Sequence, residues 1–208
     1  MLKMSAAFAA LVLPVAIFAQ GDAFQVRYAS NLNVGDSVVN ITNAGSAYSG
    51  SNPTGNLCVN VYAYNPDEEP ISCCTCPITP NGLKSLSVTR DLISNPGLAE
   101  RPATSVVIKL LATVPSGGGC NAAAPGSLAA GMRAWGTTLH RLPNGTYGVT
   151  ETPFQSAALS GGELNMLTNQ CSFFQNYASG HGICNSCATG GLLQRSALKT
   201  SLGTSKAN

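Results

Sequence analysis

The sequence predicts a mainly β fold: an antiparallel sandwich with one helix near its C-terminal end, held by a disulfide framework. Three observations carry that expectation. Short β-branched runs, punctuated by Pro, Gly and Asn, follow one another at close spacing from Phe24 to about residue 157. One later stretch changes the apolar period from two to three-and-four. The chain holds eight cysteines, an even number, behind an N-terminus that reads as an export leader.

The leader is "MLKMSAAFAALVLPVAIFAQ". Lys3 supplies a positive start, Ala6 to Phe18 form an apolar run broken only by Pro14, and Ala19 closes it. A signal peptide over residues 1–19 is expected, with a cut after Ala23 as the alternative. A retained anchor is the competing reading, but the run falls short of the about 20 apolar residues that a bilayer core demands. The expected location is therefore secreted, periplasmic or cell-surface. Charged residues make up only 10% of the chain, against about 25% in an average globular protein. Ser, Thr, Asn and Gly must then build much of the surface. The net charge of +2 argues against nucleic acid or an anionic membrane as partner. The partners left are a second copy of the chain, an extracellular protein or a glycan.

The strand candidates come in order. "FQVRYAS" alternates apolar and polar residues, and "DSVVNITN" sets Val38, Val39 and Ile41 between the turn signals Gly35-Asp36 and Asn43-Ala44-Gly45. "LCVNVYAYN" and "ISCCTCPIT" flank "PDEE" as a hairpin, then come "KSLSVTRDL", "TSVVIKLLATV", "MRAWGTTLHRL" and "TYGVTETPF". No helix-period segment interrupts them, which argues against a parallel α/β sheet. Residues 24–157 are thus expected to form the sandwich domain.

Residues 158–187 are expected to form a helix and a Cys-rich closing segment packed on that sandwich. Ser160 followed by Glu163 is a capping box, and Leu164, Leu167, Cys171, Phe174 and Ala178 recur at helical spacing. Gly180 suits the position after the helix, where positive φ is needed. Residues 188–208, rich in Gly, Ser and Thr, read as a flexible tail.

The cysteines are Cys58, Cys73, Cys74, Cys76, Cys120, Cys171, Cys184 and Cys187. In an exported chain they are expected to be oxidised in pairs. Alternation along a strand puts Cys74 and Cys76 on one face and Cys73 on the other. "CCTC" must then reach partners on both sides, with the C-terminal cysteines available. A hairpin around "PDEE" places Cys58 near Cys76, which suggests a cross-strand bridge. Cys120 would pin its glycine-rich loop to the body, with Cys171 as the suggested partner. Two alternatives stand beside this framework. His181, Cys184, Cys187 and Cys171 have the residue types of a tetrahedral zinc set. Cys184-x-x-Cys187 has the spacing of a thiol redox pair.

Catalytic signatures are scarce. There are only two histidines, His140 and His181. His140, at the end of a strand, reads as a structural histidine rather than a general base, and no nucleophile elbow, phosphate loop or zinc-protease motif occurs. Asp67, Glu68 and Glu69 read as a solvated hairpin tip, and Glu151 as a lone strand carboxylate. Trp135 and Tyr147 fit either core packing or a sugar-stacking face. Asn40 and Asn144 head N-x-Thr triplets, which matter only in a glycosylating host. No catalytic residue, cofactor or resident metal is expected, although a hydrolase acting on extracellular polymer without a recognisable motif remains a competing class.

Two resemblances add to this reading. "VGDSVVNITNAG" resembles the opening strand pair of bacterial immunoglobulin-like surface modules. That likeness implies an immunoglobulin-like sandwich. The order of "GDSVVNITN", "CVNVYAYNPDEEPISCCTCPITPNGL", "SVVIKLLAT", "AWGTTLH", "YGVTETPF" and "GICNSC" resembles an uncharacterised family of secreted, cysteine-containing bacterial proteins. It implies secretion and carries no activity. The expected function is that of a non-enzymatic, disulfide-stapled module for a cell surface, an extracellular matrix or ligand binding.

Overall fold

A computed structural model describes residues 22–98, 103–117 and 119–187. The expected leader over residues 1–19 and tail over residues 188–208 lie outside the described residues. The described strands form two antiparallel sheets. In the first, the order is β4 (Pro70–Ile78), β3 (Leu57–Tyr64), β6 (Val106–Thr113), β1 (Phe24–Ala29) and β9 (Gln155–Ser156). In the second it is β5 (Leu83–Ser87), β2 (Ser37–Asn43), β7 (Met132–Arg141) and β8 (Tyr147–Pro153).

Alternation decides which side chains meet between the sheets. In β2, Val39 and Ile41 point inward while Val38, Asn40 and Thr42 point out. Val39, Ile41, Leu86 and Met132 of the second sheet share one apolar core with Val59, Val61, Ile108 and Leu110 of the first. Each such side chain, fully buried, contributes about 1.5–3 kcal/mol. The fold is a β-sandwich. Among the described strands, β3–β4 and β7–β8 are the sequential hairpins, and each of the remaining connections crosses between the sheets.

β3 is buried along its whole length because both of its faces are covered. Val59 and Val61 face the second sheet, and Tyr62 and Tyr64 face a helix, α1 (Gly161–Tyr177). Ser160 caps α1 by accepting the Glu163 amide at 3.0 Å. The second half of the expected capping box is diverted: the Glu163 carboxylate accepts from Lys109 on β6 at 2.6 Å. Leu167, Cys171 and Phe174 form the buried stripe. The Phe174 ring lies between Gly97 and Gly182, where an added Cβ would come within 2.1 Å and 2.5 Å of ring carbons. Two side-chain-free positions therefore let the helix sit close to the sheet.

One strand is shorter than the sequence suggests. "KSLSVTRDL" leaves the sheet after Ser87, and Val88–Leu92 make one π-helical turn closed by Ile93 N–H to the Val88 carbonyl. Polar caps compete successfully with sheet pairing here: Ser87 Oγ accepts the Arg90 amide at 3.0 Å, and the Asp91 carboxylate accepts the Ser87 amide at 2.8 Å.

Candidate functional site

The cysteines form four disulfides: Cys58–Cys120, Cys73–Cys171, Cys74–Cys184 and Cys76–Cys187. β4 is the hub. Cys73 faces α1 and meets Cys171 in the helix-side cluster, whereas Cys74 and Cys76 face the sandwich interior. Residues 180–187 fold back along β4 so that Cys184 and Cys187 reach these two. A parallel bridge steers the return: the Cys73 amide donates to the Gly182 carbonyl at 2.9 Å and the Cys184 amide to the Cys73 carbonyl at 3.2 Å.

Two suggested pairings are corrected by register. Cys58 lies opposite Pro77, and Cys76 opposite Val59. Cross-strand neighbours share a face, so Cys58 and Cys76 point to opposite sides of the sheet and cannot bond. Cys58 instead takes Cys120, whose loop lies on the outer face: Tyr62 Oη donates to the Ala122 carbonyl at 2.7 Å. Cys120 is therefore not the partner of Cys171. The zinc set His181, Cys184, Cys187 and Cys171 is also corrected. Cys171 and Cys184 bond to adjacent residues of β4 that face opposite ways, and His181 is exposed. Cys184 and Cys187 bond separately to β4, not to each other as a redox pair would.

The carboxylates nearest this junction serve as clamps. Asp91, 2% exposed, accepts hydrogen bonds from Arg90, from the Ser87 amide and from Ser186 Oγ at 2.6 Å. Burial pushes its pKa up, but the Arg90, Ser186 and Ser87 hydrogen bonds and the Arg90 charge outweigh this and hold it below the ordinary carboxylate value. Asp36 ties the start of β2 to the turn that follows β5 by accepting the Ser37 and Thr89 amides at 2.7 Å and 3.0 Å and the Ser87 hydroxyl at 2.6 Å. Asp67, Glu68 and Glu69 are exposed, at a tip organised by Asn65 Oδ1, which accepts the Asp67 and Glu69 amides.

Arg27 was not singled out by sequence. It crosses the sandwich interior, 8% exposed, and donates to Thr152 Oγ1, Ser37 Oγ and Thr138 Oγ1 at 3.1, 2.9 and 2.7 Å. Burial lowers its pKa. Gly136 makes the crossing feasible, since a Cβ there would lie 2.0 Å from the guanidinium carbon.

The outward face of the second sheet gathers several of the remaining candidates. Register and alternation put Trp135, Thr137, Leu139 and Arg141 of β7 beside Pro153, Glu151, Val149 and Tyr147 of β8, all half-buried or exposed. A hydrogen-bonded row crosses all four strands. Ser85 Oγ donates to Asn40 Oδ1 at 2.7 Å, Asn40 Nδ2 to Thr137 Oγ1 at 3.0 Å, and Thr137 Oγ1 to Glu151 Oε1 at 3.0 Å. Trp135 stands on one side of the row. Tyr147, 54% exposed, lies on the other side, six residues along β7 from Trp135, or about 20 Å. His140 points to the opposite face and pairs with Thr150 Oγ1 at 3.1 Å. Asn144 sits in the β7–β8 turn, its Oδ1 accepting the Thr146 amide.

No protein-family model, no curated protein and no solved structure matches the chain. Among the described residues, no helix is long and apolar enough to cross a membrane. Two built features stand out among the described residues, the cysteine junction inside the sandwich and the polar-aromatic face outside it.

Proposed function

We propose that the chain is an exported, non-enzymatic binding module, an immunoglobulin-like sandwich stapled by disulfides, that holds a weakly charged extracellular glycan on the outward face of its second sheet. The observation that carries this is the row Ser85–Asn40–Thr137–Glu151 lying between Trp135 and Tyr147. Aromatic faces stack on the apolar faces of pyranose rings, and the row offers hydroxyl, amide and carboxylate groups to ring hydroxyls in a fixed line. The low density of charge suits an uncharged polymer better than an ionic partner. Four disulfides fit an oxidising location outside the cytoplasm. The two antiparallel sheets support the scaffold reading at the level of architecture. The resemblance to secreted bacterial proteins is part of the same proposal.

Affinity electrophoresis and calorimetry against soluble cellulose derivatives, xylan and mannan test it. At least one polymer should bind, with a loss of about tenfold or more, about 1.4 kcal/mol, in Trp135→Ala. The Tyr147→Ala variant should also bind more weakly, and circular dichroism should stay unchanged in both. Failure of the native protein to bind any polymer, or full binding by both variants, removes the glycan reading. Cleavage of a bound polymer that stops in Glu151→Gln would replace it with a hydrolase.

A further inference from the structure

We propose that the double-disulfide junction is a latent zinc site: when Cys74–Cys184 and Cys76–Cys187 are reduced, the four sulfurs together hold one Zn2+. The Sγ atoms of Cys74, Cys76 and Cys187 already lie within 4.8 Å of one another, and Cys184 is bonded to Cys74. Four thiolates at about 2.3 Å from zinc stand about 3.8 Å apart along each tetrahedral edge. The sulfurs therefore need shifts of the order of a side-chain rotation once the bonds open. The spacing is that of two short chelating loops. Cys74-x-Cys76 projects two thiols from one face of β4, and Cys184-x-x-Cys187 supplies two from a turn.

Hydrogen bonds that do not depend on sulfur keep the halves together. The Asn185 amide donates to the Asp91 carbonyl at 3.0 Å, Ser186 Oγ to Asp91 Oδ1 at 2.6 Å, and Asn95 Nδ2 to the Gly180 carbonyl at 2.8 Å. With the Cys73–Gly182 and Cys184–Cys73 backbone bonds, they tie the closing segment to β4 and to the turn beside it through groups that reduction of the sulfurs leaves chemically unchanged. The sulfurs sit in an apolar setting. Cys74, Cys76 and Cys184 belong to the inter-sheet core, and Cys187 packs against it. Among the described residues, no comparable sulfur group surrounds Cys58–Cys120 or Cys73–Cys171.

The chemistry balances simply. Each disulfide accepts two electrons and two protons from one dithiol, which closes to its own cyclic disulfide. Zn2+ then replaces four thiol protons, which pass to solvent. The site is thus a redox-gated metal centre: empty when oxidised, filled when a dithiol and zinc are present together.

The leader-free protein is reduced anaerobically with a water-soluble phosphine, which cleaves the same bonds and competes for metal less than a dithiol does, freed of excess reductant, and titrated with Co2+. One Co2+ per chain should bind with the intense absorption of tetrahedral cobalt thiolate, and one equivalent of Zn2+ should displace it. Cys74→Ser and Cys187→Ser should each weaken binding by about 100-fold or more, while the paired Cys58→Ser, Cys120→Ser variant retains it. If the reduced chain loses its fold, zinc should restore the β-sheet dichroism, because metal binding and folding are then linked. Absence of the cobalt band, metal uptake well below one per chain, or equal loss in the Cys58, Cys120 variant would overturn the proposal.

Discussion

Removing the Cys74–Cys184 bridge should destabilise the protein less than removing Cys58–Cys120, although it joins residues much farther apart in sequence. The separations are 110 and 62 residues, and taken alone they imply loop-closure contributions of about 4.8 and 4.3 kcal/mol. The four bridges do not act alone. With Cys76–Cys187 in place, Cys74–Cys184 closes a loop of only about five residues, two along β4 and three along the closing turn. Such a loop is worth about 2 kcal/mol, to which the packing of two buried sulfurs adds about 1 kcal/mol. For Cys58–Cys120, the shortest detour through Cys73–Cys171 is about as long as the direct loop, so its contribution stays at about 4 kcal/mol. Removing both Cys74–Cys184 and Cys76–Cys187 should cost about 5 kcal/mol before packing, more than twice either alone, because each masks the other. Guanidinium unfolding of the paired Cys→Ala variants, read by tryptophan fluorescence and circular dichroism, measures these losses. A Cys74, Cys184 variant less stable than the Cys58, Cys120 variant would refute the shared-loop reasoning.

Two further outcomes follow from buried polar groups. Gly136→Ala should cost about 1–3 kcal/mol, because the new methyl displaces the Arg27 guanidinium from its three hydroxyls; thermal unfolding checks this, and a cost near zero would contradict the observed crossing. Asp91 is held below its ordinary pKa, so its stabilising contribution is complete above the unfolded value of about 3.9 and is lost as pH falls through the lower folded value. Amide exchange in residues 184–187 should accelerate in that acidic window, and Asp91→Asn should show the faster exchange already at neutral pH.

Alternation made much of the sandwich legible. "SVVNITN" shows by its own spacing which side of β2 is buried, and "CCTC" shows that Cys73 must look away from Cys74 and Cys76. Helix α1 was legible because Ser160 and five apolar positions agree on one face. Pairing was not legible, because partner choice depends on register. One residue of offset, Cys58 opposite Pro77 instead of Cys76, decides which side of the sheet each sulfur occupies. The turn at Val88–Leu92 was hidden for a related reason: "SLSVTRDL" has strand-like spacing, and only the Asp91 and Ser87 caps pull it out of the sheet. Outward placement of Asn40, Thr137 and Glu151 follows from alternation within each strand. Their alignment into one row needs the order β5-β2-β7-β8, which no local pattern encodes. Arg27 carries no local mark at all, since its burial depends on a glycine 109 positions later.

Stepwise reduction and alkylation of the oxidised protein, followed by peptide mapping, tests most directly how the cysteines organise the fold. The expected fragments join Cys58 to Cys120, Cys73 to Cys171, Cys74 to Cys184 and Cys76 to Cys187, with no free thiol. A fragment linking Cys58 to Cys76, or a substantial yield of unpaired cysteine, would contradict β4 as the hub of a stapled sandwich.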